Sequence, residues 1–480
     1  MKINRFWSAL GATFSAASAI GAFAQAPTVT VIHEFNSSNQ SQPASNLIEM
    51  PDGSFLGMTG APIDGAGNAA SIYQLKSNGE FATLFQFSPG GSQCASGAPN
   101  LTSTPGALTQ ASDGNLYGVC YAGGQYGQGS VFRLTTSGQF TDLHDFQGTD
   151  GSQPAGALVE GTDGNLYGVT LYGGLSSDYG GTIFRVGLSG GFATVYEFNG
   201  NTGGTNPNAG MARGPGGNLY GMYKLGLGNP FPGPGGDYRI DHEGNITFPA
   251  SFQSYPSAFA PVITSNGNIY ALNQPSNFVG NGNETLEVIQ PGSSEAGVVL
   301  NLPARFHGDV VNYEVGMIQG SDGLFYANGT SATADPKHPY VELQIDLAAS
   351  QTNIFDLDGH GKIPLLSPLE GSDGKFYVVN GGGGTNGSGN VIALDYGLAP
   401  PAPGITAFYP TTAPAGTLVT ILGAWFVNVK SVALNGRSVP FTAVSSGAIA
   451  FRIPATATTG PVTVTTANGV GGSADALTVR

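Results

Sequence analysis

A six-letter phrase recurs along the chain and constrains its fold more than any other feature. DGNLYG stands at residues 113–118 and again at residues 163–168. Degenerate copies bring the number to seven, spaced 50 to 61 residues apart. The copies begin at Asp52, Asp113, Asp163, Gly216, Asn266, Asp322 and Asp373. A period near 50 residues predicts an array of similar units that bury a core by packing against one another.

Each unit contains four short extended runs. In the third copy they cover residues 155–161, 165–172, 181–186 and 192–198. Asp163-Gly164 joins the first two runs, and such a pair is typical of a tight hairpin turn because its glycine accepts positive φ. Four antiparallel strands in every period predict the blades of a β-propeller, an all-β fold.

The two ends of the array predict how the propeller closes. The seventh copy stops after its third run, at residues 390–396, without an aromatic fourth run. Residues 28–35, TVTVIHEF, precede the first copy and match FATVYEF, the fourth run of the third copy. We therefore predict a seven-bladed propeller over residues 27–398, in which the N-terminal strand completes the last blade and removes an open sheet edge.

The repeat resembles a known family. Its pattern, P-x-x-x-L-x-x-x-x-DG-x-LYG-x-T-x-x-GG…G-T-x-F, is similar to the Gloeobacter/Verrucomicrobia-type ("GloVer") tandem repeat of secreted bacterial proteins, and copies two and three match it best. The resemblance implies an exported bacterial propeller and assigns no catalytic residue.

The composition changes after a proline-rich linker, Ala399–Pro403. Short alternating runs rich in Thr, Ala and Val follow, which predicts a small β-sandwich. The string P-x-x-x-x-G-T-x-V-T-I-x-G-x-x-F resembles the IPT/TIG family of immunoglobulin-like domains over residues 404–480. The resemblance implies a spacer or interaction module, and we expect Trp425 to lie in its core.

Residues 1–24 have the pattern of a secretory signal peptide. Lys2 and Arg5 precede an apolar run that ends in a small-x-small cleavage pattern at residues 22–24. The alternative is a membrane anchor, but small and hydroxyl residues interrupt the run. Without Lys2 and Arg5, 14 basic residues remain against 31 acids, a net charge of −17. This acidity argues against nucleic-acid and membrane partners, and we expect no membrane insertion.

The chain has two cysteines, Cys94 and Cys120. In an exported protein we expect them to form a disulfide, and the alternative is two separate buried thiols. No zinc site is expected, because two cysteines without a nearby pair of histidines lack the necessary ligands.

One segment has a spacing suited to calcium. Asp356 and Asp358 form a D-x-D-G pattern within FDLDGHG, and calcium prefers such oxygen ligands. The third acid and the distal glutamate of a complete calcium loop are missing. We therefore expect no cofactor, with calcium as the open alternative.

Histidines are the commonest acid–base groups in proteins. His33 and His144 hold the position that Phe85 and Tyr196 hold in other copies, so we expect them to fill space. Three others lie in loops of different copies, where a ring could bring them together: His307, His338 and His360. They carry the alternative function, a lyase or hydrolase of extracellular polymer with its site in the propeller mouth.

The two ends of each blade differ in their connections. Long glycine-rich loops join the second and third runs and emerge on what we call the long-loop face; the Asp-Gly turns lie on the opposite, tight-turn face. We expect ligands at the long-loop face, where tyrosines beside acids suit stacking on saccharides. The candidate binding residues are Tyr126, Tyr172, Asp178, Tyr179 and Phe231. A solvated loop is the alternative for each.

These patterns predict an exported, non-enzymatic binding or adhesion protein, with an extracellular glycan or a surface protein as its partner. No nucleophile elbow, paired-carboxylate motif or metal-ligand cluster in the sequence favours the enzyme. A purely structural exoprotein is the third alternative.

Overall fold

The computed structural model describes residues 26–36, 42–60, 70–87, 107–175, 180–199, 204–225, 234–241, 243–252, 255–256, 260–274, 284–302, 305–306, 309–312, 316–331, 340–357 and 367–480. Strands make up the regular structure of these residues, apart from one 3-10 turn at Pro215–Gly217. Within these ranges, no helix has the length and apolarity to cross a membrane. The predicted all-β class is confirmed.

The propeller strands form seven sheets over the described ranges. Sheet 1 contains Ile48–Glu49, Phe55–Thr59, Ser71–Leu75 and Phe81–Gln86; sheet 2 contains Thr109–Gln110, Leu116–Cys120, Ser130–Leu134 and Phe140–Asp145. Sheet 3 contains Ser152–Glu160, Asn165–Tyr172, Thr182–Gly187 and Phe192–Glu197; sheet 4 contains Thr205–Arg213, Leu219–Leu225, Pro234–Ile240 and Ile246–Thr247. In each, all neighbouring strands are antiparallel, in chain order.

The remaining sheets vary this plan. Sheet 5 contains Tyr255–Pro256, Val262–Ile263, Ile269–Gln274, Thr285–Ile289 and Gly297–Asn301, so its first strand is split. Sheet 6 contains Arg305–Phe306, Asp309–Asn312, Met317–Gln319, Phe325–Ser331, Tyr340–Asp346 and Gln351–Asp356. Sheet 7 contains Leu369–Glu370, Phe376–Asn380, Asn390–Asp395 and the N-terminal strand Thr28–Glu34.

The N-terminal strand closes the ring. Thr28–Glu34 pairs antiparallel with Asn390–Asp395, from Thr28 opposite Asp395 to Glu34 opposite Asn390. Seven clusters of buried apolar side chains then join each sheet to the next, including sheet 7 to sheet 1. The predicted closure of the last sheet by the N-terminal strand is confirmed.

The letters of the repeated phrase have separate structural roles. The aspartate accepts a hydrogen bond from the tyrosine hydroxyl four residues later, at 2.7 to 2.9 Å. These pairs are Asp113–Tyr117, Asp163–Tyr167, Asp322–Tyr326 and Asp373–Tyr377. The glycine between them adopts positive φ, for example +76° at Gly164.

The final glycine of the phrase makes room for an aromatic ring of the neighbouring third strand. A Cβ atom at Gly168 would lie 2.4 Å from the ring of Phe184, far inside van der Waals contact. The same pairing occurs in sheets 1, 2 and 4, as Gly57–Tyr73, Gly118–Phe132 and Gly221–Tyr238. Sheets 5 to 7 have Ala271, Ala327 and Val378 there, opposite the non-aromatic Glu287, Leu343 and Ile392. The sixth letter therefore changes together with its cross-strand partner.

The fourth strands carry rings that pack between neighbouring sheets. His144 of sheet 2 stacks on Phe192 of sheet 3, with ring centroids 3.5 Å apart and planes 5° from parallel. The equivalent pairs are His33–Phe81 and Phe85–Phe140, which also stack, and Tyr196–Phe248, whose planes are tilted by 53°. His33 and His144 thus fill the same rim positions as the aromatic residues of other copies.

Residues 404–480 form a two-sheet sandwich. One sheet contains Gly404–Tyr409, Leu418–Ala424, Phe441–Ser445 and Ala448–Arg452. The other contains Thr412–Ala413, Ser431–Leu434, Arg437–Val439, Gly460–Thr465 and Val470–Val479. Val419, Ile421, Phe426 and Val464 are fully buried between the sheets.

Candidate binding surfaces

The C-terminal sandwich covers much of the tight-turn face of the propeller. Hydrogen bonds from its side chains reach backbone carbonyls at the turns of sheets 1 and 7. Ser446 Oγ donates to Glu49 O at 2.5 Å, Asn468 Nδ2 to Ser372 O at 2.7 Å and Trp425 Nε1 to Glu370 O at 3.2 Å. The backbone N–H of Asn428 donates to Pro51 O at 3.0 Å. The sandwich therefore bridges the junction at which the ring closes.

The course of the chain explains this placement. The third strand of sheet 7 ends at Asp395, beside the tight turn of that sheet, so the chain leaves the propeller on the tight-turn face. Pro401 and Pro403 of the following linker are buried. The linker is therefore packed in place and holds the sandwich close.

Trp425 lies in this contact and not in the sandwich core. Its indole N–H is bonded to the propeller, whereas the adjacent Phe426 is fully buried within the sandwich. The expectation that Trp425 is a core residue is wrong. Trp425 and Phe426 are adjacent in a loop, and a loop has no periodicity from which to predict which of the two rings is buried.

A second set of contacts joins neighbouring sheets at the same face. In what we call a Glu–Ser clip, a glutamate at the end of a first strand accepts hydrogen bonds from the backbone N–H and the hydroxyl of a serine in the preceding sheet. The three clips are Glu160–Ser112, Glu370–Ser321 and Glu49–Ser372. Burial raises the pKa of Glu49 to about 7, against the opposing effect of its bonds to Ser372.

The sandwich also engages one of the clips directly. Tyr409 Oη donates to Glu160 Oε1 at 3.0 Å and lies 3.4 Å from Ser112 Oγ. Arg213 Nη2 of sheet 4 donates to the backbone carbonyl of Glu160. Glu160 therefore links sheets 2, 3 and 4 with the sandwich.

The long-loop face carries two of the predicted binding residues in neighbouring sheets. Tyr126 lies in the loop between the second and third strands of sheet 2, and 48% of its surface is exposed. Tyr172 ends the second strand of sheet 3, with 38% of its surface exposed. Nearby Leu175 is 77% exposed. The structure thus places an exposed apolar and aromatic group on the face opposite the sandwich.

In sheets 3 and 7, an acid at the end of the fourth strand holds the adjacent long loop. Glu197 Oε2 accepts from the backbone N–H of Leu175 at 3.1 Å, and Glu34 Oε2 accepts from that of Thr385 at 3.0 Å. A neighbouring sheet adds a further tie, because the backbone N–H of Gln153 donates to Gln128 O at 2.8 Å. These loops are therefore anchored, which limits the entropy lost when a ligand binds.

Several predicted site residues fall outside the described ranges. They are Cys94, Asp178, Tyr179, Phe231 and Asp358, together with the signal-peptide residues 1–24. Cys120 takes part in a disulfide and is 4% exposed. The predicted partner, Cys94, is the single other cysteine of the sequence. Peptide mapping without reduction tests that pairing.

Asp356 ends the fourth strand of sheet 6 and is exposed. It occupies the position of the loop-holding acids Glu34 and Glu197, one residue before a buried apolar side chain. Over the described residues, no three His, Cys, Asp or Glu side chains are grouped as a metal site. The expectation of no cofactor stays a prediction, with calcium as its alternative.

Of the candidate acid–base histidines, some lie within the described residues and others lie outside them. His144 Nε2 is 2.8 Å from Asp150 Oδ2, at the rim and stacked on Phe192. His307, His338 and His360 lie outside the described residues. The alternative enzymatic function is therefore neither supported nor opposed by their positions.

Sequence reasoning missed several fully buried carboxyl groups, among them Asp237 and Glu342. Asp237 faces sheet 5 from sheet 4, and burial raises its pKa to about 7. Glu342 lies between sheets 6 and 7, where burial raises its pKa well above the usual range. Alignment of the third strands would have revealed both, because Ile183 and Val131 hold the same position in sheets 3 and 2.

Comparison with known families agrees with this architecture. Residues 104–337 match the model of the Gloeobacter/Verrucomicrobia repeat, and residues 403–480 match that of the IPT/TIG domain. The chain combines Gloeobacter/Verrucomicrobia repeats with an IPT/TIG domain. The repeat match covers copies two to six, while the copies at Asp52 and Asp373 form sheets of the same plan outside it. No curated protein sequence matches the chain significantly.

Solved structures similar to this chain include two enzymes of low sequence identity. One is a fungal alcohol oxidase of the AA5 family in complex with copper: 10% identity, 95% of this chain and 99% of that chain covered, TM-score 0.46. The other is a candidate gluconolactonase: 11% identity, 60% and 87% coverage, TM-score 0.36. Both TM-scores are below 0.5, so neither similarity informs on the function of the repeats or the IPT/TIG domain.

Proposed function

We propose that the protein is an exported, adhesion-type binding protein that recognises glycans through its long-loop face. One observation carries the proposal: the IPT/TIG domain is bonded to the tight-turn face, while Tyr126 and Tyr172 stand exposed on the other. Aromatic rings next to acids and amides bind saccharides by stacking and hydrogen bonding. The loop anchors at Glu197 and Glu34 support the same role, because they hold the loops before a ligand arrives.

Binding of the mature protein to a glycan array tests this proposal. The Tyr126→Ala/Tyr172→Ala double variant is expected to lose the signal at least tenfold, because it removes both rings. Leu84→Ala is the matched control, since Leu84 is 46% exposed but lies on an outer edge strand of sheet 1. Its binding should equal that of the wild type.

Other outcomes point to the alternatives. If the double variant still binds glycans, the binding site lies elsewhere than at Tyr126 and Tyr172. Absence of any glycan signal favours a surface-protein ligand or a structural exoprotein, and release of sugar from a polymer favours the lyase or hydrolase. Export is tested separately by N-terminal sequencing, which should begin at Gln25.

A further inference from the structure

The fourth copy of the repeat departs from the motif at both clip positions and at the first letter of the repeated phrase. Arg213 stands where the clip glutamate stands in sheets 1, 3 and 7, and Pro215 takes the place of the clip serine. Gly216 replaces the aspartate of the phrase. Because a clip joins the glutamate of one sheet to the serine of the preceding sheet, Arg213 removes the clip between sheets 3 and 4, whereas Pro215 belongs to the junction between sheets 4 and 5. Gly216 removes the side chain that usually caps the turn.

A cleft of about 470 Å³ lies at this junction, between the propeller and the IPT/TIG domain. Thr162 and Gly216 form its propeller wall, and residues 405–412 and 473–475 form its other wall. Thr162 occupies the clip-serine position, and its Oγ1 has no hydrogen-bond partner among the described residues. The loss of the clip thus coincides with an opening of the size that small-molecule sites have.

The walls of the cleft are rich in hydroxyl groups. Six lining residues carry one: Thr162, Thr406, Tyr409, Thr411, Thr412 and Ser473. Thr406, Tyr409 and Ser473 already donate to Leu422 O, Glu160 and Asp475 O, so they can offer a ligand only acceptor oxygens. Ile405 and the ring of Tyr409 add apolar surface. Hydroxyl donors and acceptors around an apolar patch match the two kinds of surface that a sugar ring presents.

The charge of the cleft restricts the class of ligand that it can bind. Asp475 is an exposed lining residue, and over the described ranges no lysine or arginine lines the cleft. A carboxylate accepts hydrogen bonds from ligand hydroxyls and repels anions. The chain as a whole is also acidic, with a net charge of −15.

We propose that this interdomain cleft is a second binding site, which takes a neutral mono- or disaccharide. The site is separate from the long-loop face and does not depend on the function proposed for that face. A ligand held there contacts both domains, so binding also strengthens their attachment.

Hydrogen–deuterium exchange with defined probes tests the proposal. The probes are methyl α-D-glucopyranoside, methyl α-D-galactopyranoside and methyl α-D-mannopyranoside, with D-glucuronate as the acidic counterpart. At least one neutral glycoside should slow exchange in residues 404–412 and 473–475. Glucuronate should bind about tenfold more weakly, because its carboxylate meets Asp475.

Two substitutions on one strand locate the effect. Ala474→Trp places a large ring in the cleft and should abolish the protection, while Val470→Trp lies outside it at a position that is 62% exposed and should preserve the protection. The Tyr126→Ala/Tyr172→Ala variant should also preserve it, which separates this site from the long-loop face.

The proposal is overturned if no neutral glycoside protects either segment. It is also overturned if glucuronate protects as strongly as the glycosides, or if Ala474→Trp keeps the protection. Equal melting temperatures of the two tryptophan variants show that any difference between them arises at the cleft and not from unfolding.

Discussion

The junction between sheets 2 and 3 and the junction between sheets 4 and 5 are built differently. The first has an apolar core, the Glu160–Ser112 clip and a stacked His144–Phe192 pair. The second has Ile263 and Pro215 in the clip positions, the buried acid Asp237 and a cavity of about 220 Å³. Degeneration of the repeated phrase therefore marks a real change in packing, and not only drift at the surface.

The pairing of the final glycine with an aromatic ring gives the largest expected effect. Gly168→Ala puts a methyl group 2.4 Å from the Phe184 ring and should lower the free energy of unfolding by about 3 kcal/mol. Ala327 in sheet 6 lies opposite Leu343, so no aromatic ring occupies the space beside it. Ala327→Gly should therefore lower the free energy of unfolding by about 1 kcal/mol, the cost of a glycine within a strand. Urea unfolding measures both, and equal effects would contradict the pairing.

Loss of the clip ranks next. Glu160→Ala removes the acceptor of Ser112 and Tyr409 and should lower the free energy of unfolding by about 2 kcal/mol. Gln319 holds the equivalent position in sheet 6, and among the described residues its side chain bonds only to Gly323 O of its own turn. Gln319→Ala should therefore lower it by about 0.5 kcal/mol. Urea unfolding measures both variants, and a larger loss for Gln319→Ala than for Glu160→Ala would contradict the role of the clip.

Part of the pH dependence of stability should come from the degenerate junction. Burial raises the pKa of Asp237 to about 7, above that of an exposed carboxyl group, so the folded state binds its proton more tightly than the unfolded state. The free energy of unfolding should thus increase as the pH falls from 8 to 6, by about 1 kcal/mol on account of Asp237.

Asp237→Asn should remove that share, while the share of Glu49, whose pKa is also raised to about 7, stays. Thermal melts at intervals between pH 8 and pH 6 measure the slope for each protein. A variant with the slope of the wild type would show that Asp237 does not titrate in this range.

Exchanging one ring for another in the rim stack should have the smallest effect. His144→Phe keeps a ring against Phe192 and loses only the contact with Asp150, so stability should change by less than about 0.5 kcal/mol. His144→Ala removes the ring and should lower the free energy of unfolding by about 2 kcal/mol. A large effect of the phenylalanine variant in thermal melts would assign His144 a role beyond packing.

Patterns within the sequence predicted most of the fold and part of the candidate site. Asp-Gly turns, aromatic fourth runs and the strand at residues 28–35 are local signals, and each specifies a strand or a hairpin. The positions of Tyr126 and Tyr172 on one face follow from the same alternation of long and tight connections. The clips were missed, although a glutamate three residues before the aspartate and a serine one residue before it recur in the copies that form them.

The sequence alone determined the repeat, the closure of the ring and the class of the C-terminal domain. These features depend on hydrogen bonding and apolar periodicity among residues that are close in the sequence. Tertiary structure alone decided that the IPT/TIG domain covers the tight-turn face. Ser446, Asn468 and Trp425 make three of its contacts by donating to backbone carbonyls, which every residue has, so the side chains of their partners give no signal for these contacts in the sequence. The interdomain cleft exists for the same reason, since it needs both the missing clip at Arg213 and a neighbour placed above it.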